Sequence, residues 1–450
     1  MANTSIISIP AEVLEKIFFH TLNPVWEGNY HTDDFNKVFR MQFDQGSNPR
    51  KSLARTCHYF RKVVLTSPSL WTRHHIRTSG RVRSGLVDTM FRRSGDLSLQ
   101  VCLSVIPSGP KTIVEGREVV PFDQEVLTIL RKYFHRIHAF IMIFHGDHPI
   151  NHARITPLLF PPDTSTAMPR LAHFYGASNY IYGNPHNPCI GIINAPGLKT
   201  FMISSELAYL WRTLTPSTSQ ILVLKLVYSG HTGASREDLE LLCRTQCVEE
   251  LALDWSIPDL TSSLSQFRFV QLKRLAITLQ SNAECQVVNE LFHTPQLKHL
   301  TISGGYLCRL SWIAPFLKKN PQLRQIRFSW LQAQELAVDI FSCLSEVEDL
   351  TLDRNIHSDA FFSSFLDMED GRLILPNLKN FTISNGSRDP APVVVDVIRS
   401  RVNRDGIHPG MILSVLDMSV SQKMLDDLRA LVKDYPDNVF VEYSTLYKRA

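Results

Sequence analysis

One short pattern recurs through most of this chain and limits what it can fold into. It is an apolar residue, two free positions, a second apolar residue, one free position and a third apolar residue. It reads Leu198/Phe201/Ile203, Ile221/Leu224/Leu226, Val248/Leu251/Leu253, Leu272/Leu275/Ile277, Leu297/Leu300/Ile302, Leu323/Ile326/Phe328, Val347/Leu350/Leu352 and Leu378/Phe381/Ile383. Successive copies start 23, 27, 24, 25, 26, 24 and 31 residues apart. The alternation at the end of each copy predicts a short strand with one buried face. Between strands lie amphipathic stretches at 284–292, 307–317, 333–344 and 393–402 that read as helices. A strand and a helix cannot bury their own apolar faces, whereas a stack of such units can. Pro295, Pro321 and Pro376 each stand two residues before their copy, as if one turn opened every strand. Weaker copies are Ile137/Phe140/Met142, Leu171/Phe174 and Leu413/Leu416/Met418.

In each copy the second and third apolar residues point inward, so their alternating neighbours form an open sheet face. That face begins with Thr200 and Met202 and continues through Val223 and Lys225. Its middle carries Arg274, His299 and Arg327, between acidic flanks at Glu250/Asp254 and Asp349/Asp353. Lys225, Asp254, Arg274, His299, Arg327 and Asp353 are the candidate binding residues. An arginine fork suits an acidic or phosphorylated segment, and the same arginines can pair with the acids beside them.

The strand-plus-helix period resembles the leucine-rich-repeat family. The resemblance implies an α/β fold in which residues 77–450 form a right-handed solenoid with a parallel concave sheet, most regular at 195–385. The family's Asn after the strand is recognisable at Asn355.

A different organisation precedes the repeats. Val13, Leu14, Ile17, Phe18 and Leu22 recur at helical spacing behind Pro10 and Glu12. A second helix reads from Arg50 to Leu65, with Leu53, Cys57, Phe60 and Val64 on one side, and stops at Thr66-Ser67-Pro68-Ser69 before Leu70-Trp71. Together, Ile9-Pro10-Ala11-Glu12, Ile17-Phe18, Cys57 with Phe60-Arg61, and Pro68 with Leu70-Trp71 resemble the F-box. Phe60 stands where the family more usually has Trp, and residues 23–49 are longer than its usual loop, with a short helix at about 33–41. The resemblance covers roughly 7–76, places the module at 1–76, and implies three helices that bind a Skp-family adaptor and, through it, a cullin. It places the adaptor contacts among Ile9, Pro10, Leu14, Ile17, Phe18, Leu22, Leu53, Cys57, Leu70 and Trp71. Some of these must pack inside the module.

Composition excludes more than it assigns. The chain is 44% hydrophobic and carries a net charge of +4. Eleven Lys and Arg against Asp88 between Arg50 and Gly95 give +10 there and −6 elsewhere. That block lacks interleaved stacking aromatics and any reader motif, so it fits an acidic protein partner at least as well as nucleic acid. No apolar run reaches membrane-spanning length, and no export signal is legible. Eight scattered cysteines form no disulfide framework, which points to the cytoplasm or nucleus. His145, His148 and His152 lack a clear fourth metal ligand, and Cys243 and Cys247 are spaced unlike a C-x-x-C site. No nucleotide-binding loop or hydrolase motif is present, so no enzyme activity and no cofactor are expected. The F-box and repeat resemblances together imply a substrate receptor of an SCF-type ubiquitin ligase. The alternative is a non-catalytic repeat scaffold whose N-terminal helices only cap the stack.

Overall fold

A computed structural model describes residues 9–22, 49–78, 84–106, 112–114, 117–119, 124–145, 150–178, 189–214, 220–227, 236–254, 267–304, 308–333, 340–353, 356–357, 361, 368–369, 372–384, 395–397, 399, 411–416, 422–434 and 439–443. The helix expected at 33–41 and Asn355 lie outside them. The chain divides into two compact units, Met1–Ser229 and Gly230–Ala450. The fold is α/β, and the strands of the repeats pair in parallel.

In the first unit, helices α1 (Ala11–Leu22), α2 (Pro49–Thr56) and α3 (His58–Thr66) precede parallel strands β1 (Arg73–Arg77), β2 (Leu99–Val105), β3 (Ile137–Phe144), β4 (His173–Ser178), β5 (Thr200–Ile203) and β6 (Val223–Val227). The register lines His74, Val101, Phe140, Phe174, Phe201 and Leu224 into one inward column. Aromatic packing runs along it: Phe140 lies 5.8 Å from Phe174, Phe174 5.4 Å from Phe201, and Phe201 5.7 Å from Trp211. The neighbouring column contains Gly176, where a Cβ would come within 2.9 Å of Leu207 Cδ1. A larger side chain there would crowd the helix packed on the sheet.

The second unit continues the scheme with β7 (Glu250–Asp254), β8 (Arg274–Leu279), β9 (His299–Gly304), β10 (Gln325–Ser329), β11 (Asp349–Asp353), β12 (Asn380–Ser384), β13 (Met411–Leu416) and β14 (Val439–Tyr443). Every residue of the eight main copies is buried. Each such Leu or Ile removed from water contributes about 1.5–3 kcal/mol, which is why the pattern holds its register. The shared turn is real and wider than the three expected prolines. Leu171, Leu198, Leu272, Leu297, Leu323 and Leu378 each donate their N–H to the carbonyl three residues back, at 3.0–3.2 Å. Pro169 and Pro196 occupy the same turn position as Pro295, Pro321 and Pro376. Proline pre-sets the backbone angle that this position of a type I turn needs. Asn320 is buried within the turn at 320–323: it accepts from Thr294 Oγ1 at 2.9 Å and donates to the Phe316 carbonyl at 2.9 Å.

Several readings need correction. The helix expected from Arg50 to Leu65 is broken at Cys57, whose backbone is extended and whose thiol accepts from the Phe60 N–H at 3.4 Å. Side-chain periodicity continues across the break, which hid it. The weaker copy Leu171/Phe174 leads into strand β4, and a helix, Ile150–Leu159, precedes it. The copy read as Leu413/Leu416/Met418 is misregistered: Leu413 pairs with Phe381 and Val415 with Ile383, so Leu413 holds the second position. The first strand, β1, was missed because His74 fills a column position that is apolar elsewhere. Its ring is buried, with Nε2 2.5 Å from the Trp71 carbonyl oxygen, and lies 5.0 Å from the Phe91 ring. Burial, then the charge of Arg50, pushes its pKa down to about 3, so it behaves there as a neutral residue.

Candidate functional site

Two surfaces carry the candidate residues. On the first, α1 divides its apolar residues between two faces. Leu14 and Phe18, four residues apart, are buried against Phe60, Val63, Val64, Leu70 and Trp71. The Phe18 and Phe60 rings meet edge-on at 4.9 Å. Pro10, Val13 and Ile17 lie on the other face and are exposed, Val13 by 45% and Ile17 by 48%.

The remaining residues of this group are placed as follows. Ile9, Leu53 and Cys57 are half-buried against the cluster, and the Ile9 carbonyl accepts from Tyr59 OH at 2.9 Å. Leu22 ends α1, and its side chain is outside the described residues. Leu70 and Trp71 are interior. The Trp71 indole N–H donates to the Val64 carbonyl at 2.6 Å, while the guanidiniums of Arg50 and Arg93 lie 5.6 Å and 4.8 Å from its ring. Arg50 also donates to the Arg73 carbonyl. Burial, together with the charge of Arg73, brings its pKa down to about 10. Part of the basic block thus supports the module. Ser69 Oγ donates to the Glu15 carboxylate, tying the corner to α1. Val13, absent from the expected contacts, is visible in hindsight as the residue three after Pro10 and four before Ile17.

The second surface is the open face of the second unit. In register across β7 to β12 run Glu250, Arg274, His299, Gln325, Asp349 and Asn380. They form a polar ladder. Arg274 Nε lies 3.6 Å from Glu250 Oε1, His299 Nδ1 2.6 Å from Gln325 Oε1, and Gln325 Nε2 donates to Asp349 at 2.6 Å. Asn380 donates to the other oxygen of Asp349. Desolvation lowers the His299 pKa against the opposing hydrogen bond from Gln325, so the expected positive centre loses that contribution at neutral pH. Arg327 stands in the next row, 3.7 Å from Asp353, which also accepts from Ser329. The acids expected to flank a binding site therefore hold the arginines themselves. Asp254 is half-buried opposite Thr278. Lys225 belongs to the first unit, beside Met202. There the open face is not open: Cys102, Ile141, Tyr175 and Met202 are in register and buried, and Thr200 is buried as well.

Among the described residues no helix is long and apolar enough to cross a membrane, and no group of three His, Cys, Asp or Glu is placed to hold a metal. Among the described residues none of the eight cysteines is placed in a disulfide. No family model matches the chain, and no curated protein does.

Proposed function

We propose that the chain is the substrate-recognition subunit of a cullin-based, SCF-type ubiquitin ligase. Residues 1–76 would act as an F-box module on a Skp-family adaptor. Residues 77–450 would act as a right-handed leucine-rich-repeat solenoid that holds the target protein. Such a receptor does no chemistry; it raises the concentration of a bound target beside the ubiquitin-loading machinery.

One observation carries the reading. α1 buries Leu14 and Phe18 but leaves Pro10, Val13 and Ile17 in water. A helix that merely capped the repeats would turn its apolar residues inward, whereas a docking helix keeps a second apolar face for its partner. Interfaces of standard size cover about 800 Å² per partner, and a few central anchors carry most of their energy. The test is co-purification of a Skp-family adaptor with the full chain and with a Pro10→Ala, Ile17→Ala variant. Both residues are exposed, so the variant should stay folded and lose the adaptor. Undiminished capture would refute the assignment and leave the scaffold reading.

A further inference from the structure

The residues that lead into β7 to β12 form a row of their own: Glu249, Lys273, Lys298, Arg324, Glu348 and Lys379. Its backbone is continuous, because Lys273, Lys298, Arg324, Glu348 and Lys379 each donate to the preceding residue's carbonyl at 2.8–2.9 Å. The ends of the row are complementary. Lys273 Nζ lies 2.8 Å from Glu249, and Lys379 Nζ 3.1 Å from Glu348. The middle is not. Lys298 and Arg324 are exposed, and their backbones are hydrogen-bonded neighbours. Lys273 is a third cation on Lys298's other side. Like charges on adjacent strands destabilise a sheet, and this row repeats the arrangement twice in succession. Nearby acids do not relieve it, since Glu249 and Glu348 engage Lys273 and Lys379 while Glu250 and Asp353 engage Arg274 and Arg327.

From this unrelieved charge we infer that the rim at Lys273, Lys298 and Arg324 is the docking surface for an extended, Asp/Glu-rich segment of a partner protein. The inference rests on the receptor reading above for the partner's identity as a target, but not for the binding itself. With strands about 4.8 Å apart, the three cations span about 10 Å along the row. Carboxylates on alternate residues of an extended segment recur every ~6.6 Å, so two of them fit that span. A single phosphate would engage only part of it. Arg274 and Arg327, already held by acids, are secondary to the pair at Lys298 and Arg324.

The test uses the full chain and a fluorescein-labelled peptide of alternating Glu and Gly, with an alternating Lys and Gly peptide as the opposite-charge control, read by anisotropy at low and high salt. Wild type should bind the acidic peptide in a salt-sensitive way and ignore the basic one. Lys298→Glu with Arg324→Glu should weaken binding about tenfold, since two exposed charge contacts each supply a factor of a few. Lys379→Glu should change it little. A Lys298→Gln, Arg324→Gln variant, which removes the two neighbouring like charges, should melt no lower than wild type and still lose affinity. Equal binding by the double variants, or equal loss in Lys379→Glu, overturns the inference. Adaptor co-purification measured on the same variants separates the two readings. Retained adaptor with no effect on the peptide sinks only the rim, and lost peptide binding in a chain that never captures adaptor supports the rim while the ligase reading fails.

Discussion

Ile17 and Phe18 are adjacent, both apolar and both read from sequence as one stripe, yet their truncations should diverge. Phe18 is 4% exposed, with its ring edge-on to Phe60 at 4.9 Å. Phe18→Ala removes that burial and leaves a cavity among Leu14, Val64 and Trp71. Such changes cost about 3–5 kcal/mol, and the lost ring pair lies within that range. Ile17 is 48% exposed. A fully buried Ile contributes about 1.5–3 kcal/mol, so truncating a side chain already half in water costs roughly 1 kcal/mol or less. A chain of two compact units need not unfold in one step, so the right assay is local: amide hydrogen exchange in α1 and α3. Phe18→Ala should speed exchange there about a hundredfold or more, and Ile17→Ala at most about fivefold, at 1.4 kcal/mol per decade. Adaptor capture should fall in Ile17→Ala despite its intact protection. Equal deprotection by both variants, or a larger effect for Ile17→Ala, would refute the two-faced assignment of α1.

Two further outcomes follow from the packing. His74 has a folded pKa of about 3 against 6.5 unfolded, so between those values the unfolded chain takes up the proton. Stability from this site is therefore complete above pH 6.5 and falls as pH drops toward 3, by at most about 1.4 kcal/mol per pH unit. Thermal melts along that range should show the fall, and His74→Leu should flatten it; an unchanged slope would mean that His74 does not titrate as placed. Asn320→Ala strips the Thr294 hydroxyl of its acceptor and the Phe316 carbonyl of one of its two donors, leaving the Lys319 N–H. It should cost about 1–3 kcal/mol, read as a lowered melting temperature, and an unaltered melt would count against the buried turn network.

What the sequence by itself determined was everything that repeats. Hydrophobic positions such as Leu297, Leu300 and Ile302 recur at one spacing, and one face must leave water, so the strands of the eight main copies and their buried positions followed from the pattern. Pro295, Pro321 and Pro376 announced the turn before their strands for a similarly local reason, a fixed backbone angle. Tertiary structure decided what had no period. Helical spacing marked Val13, Leu14, Ile17 and Phe18 alike, and only packing against Phe60 and Trp71 turned Leu14 and Phe18 inward and left the other two outside. His74 became a core residue because the Phe91 ring packs on it and the Trp71 carbonyl meets its Nε2, a fact absent from its own residue type. For Arg274 and Arg327 the linear chain left two roles open, binding a partner or pairing with the acids beside them. Parallel pairing brought Glu250 and Asp353 beside them, and the same pairing set Lys298 against Arg324, because residues in neighbouring repeats meet only when the strands are laid side by side.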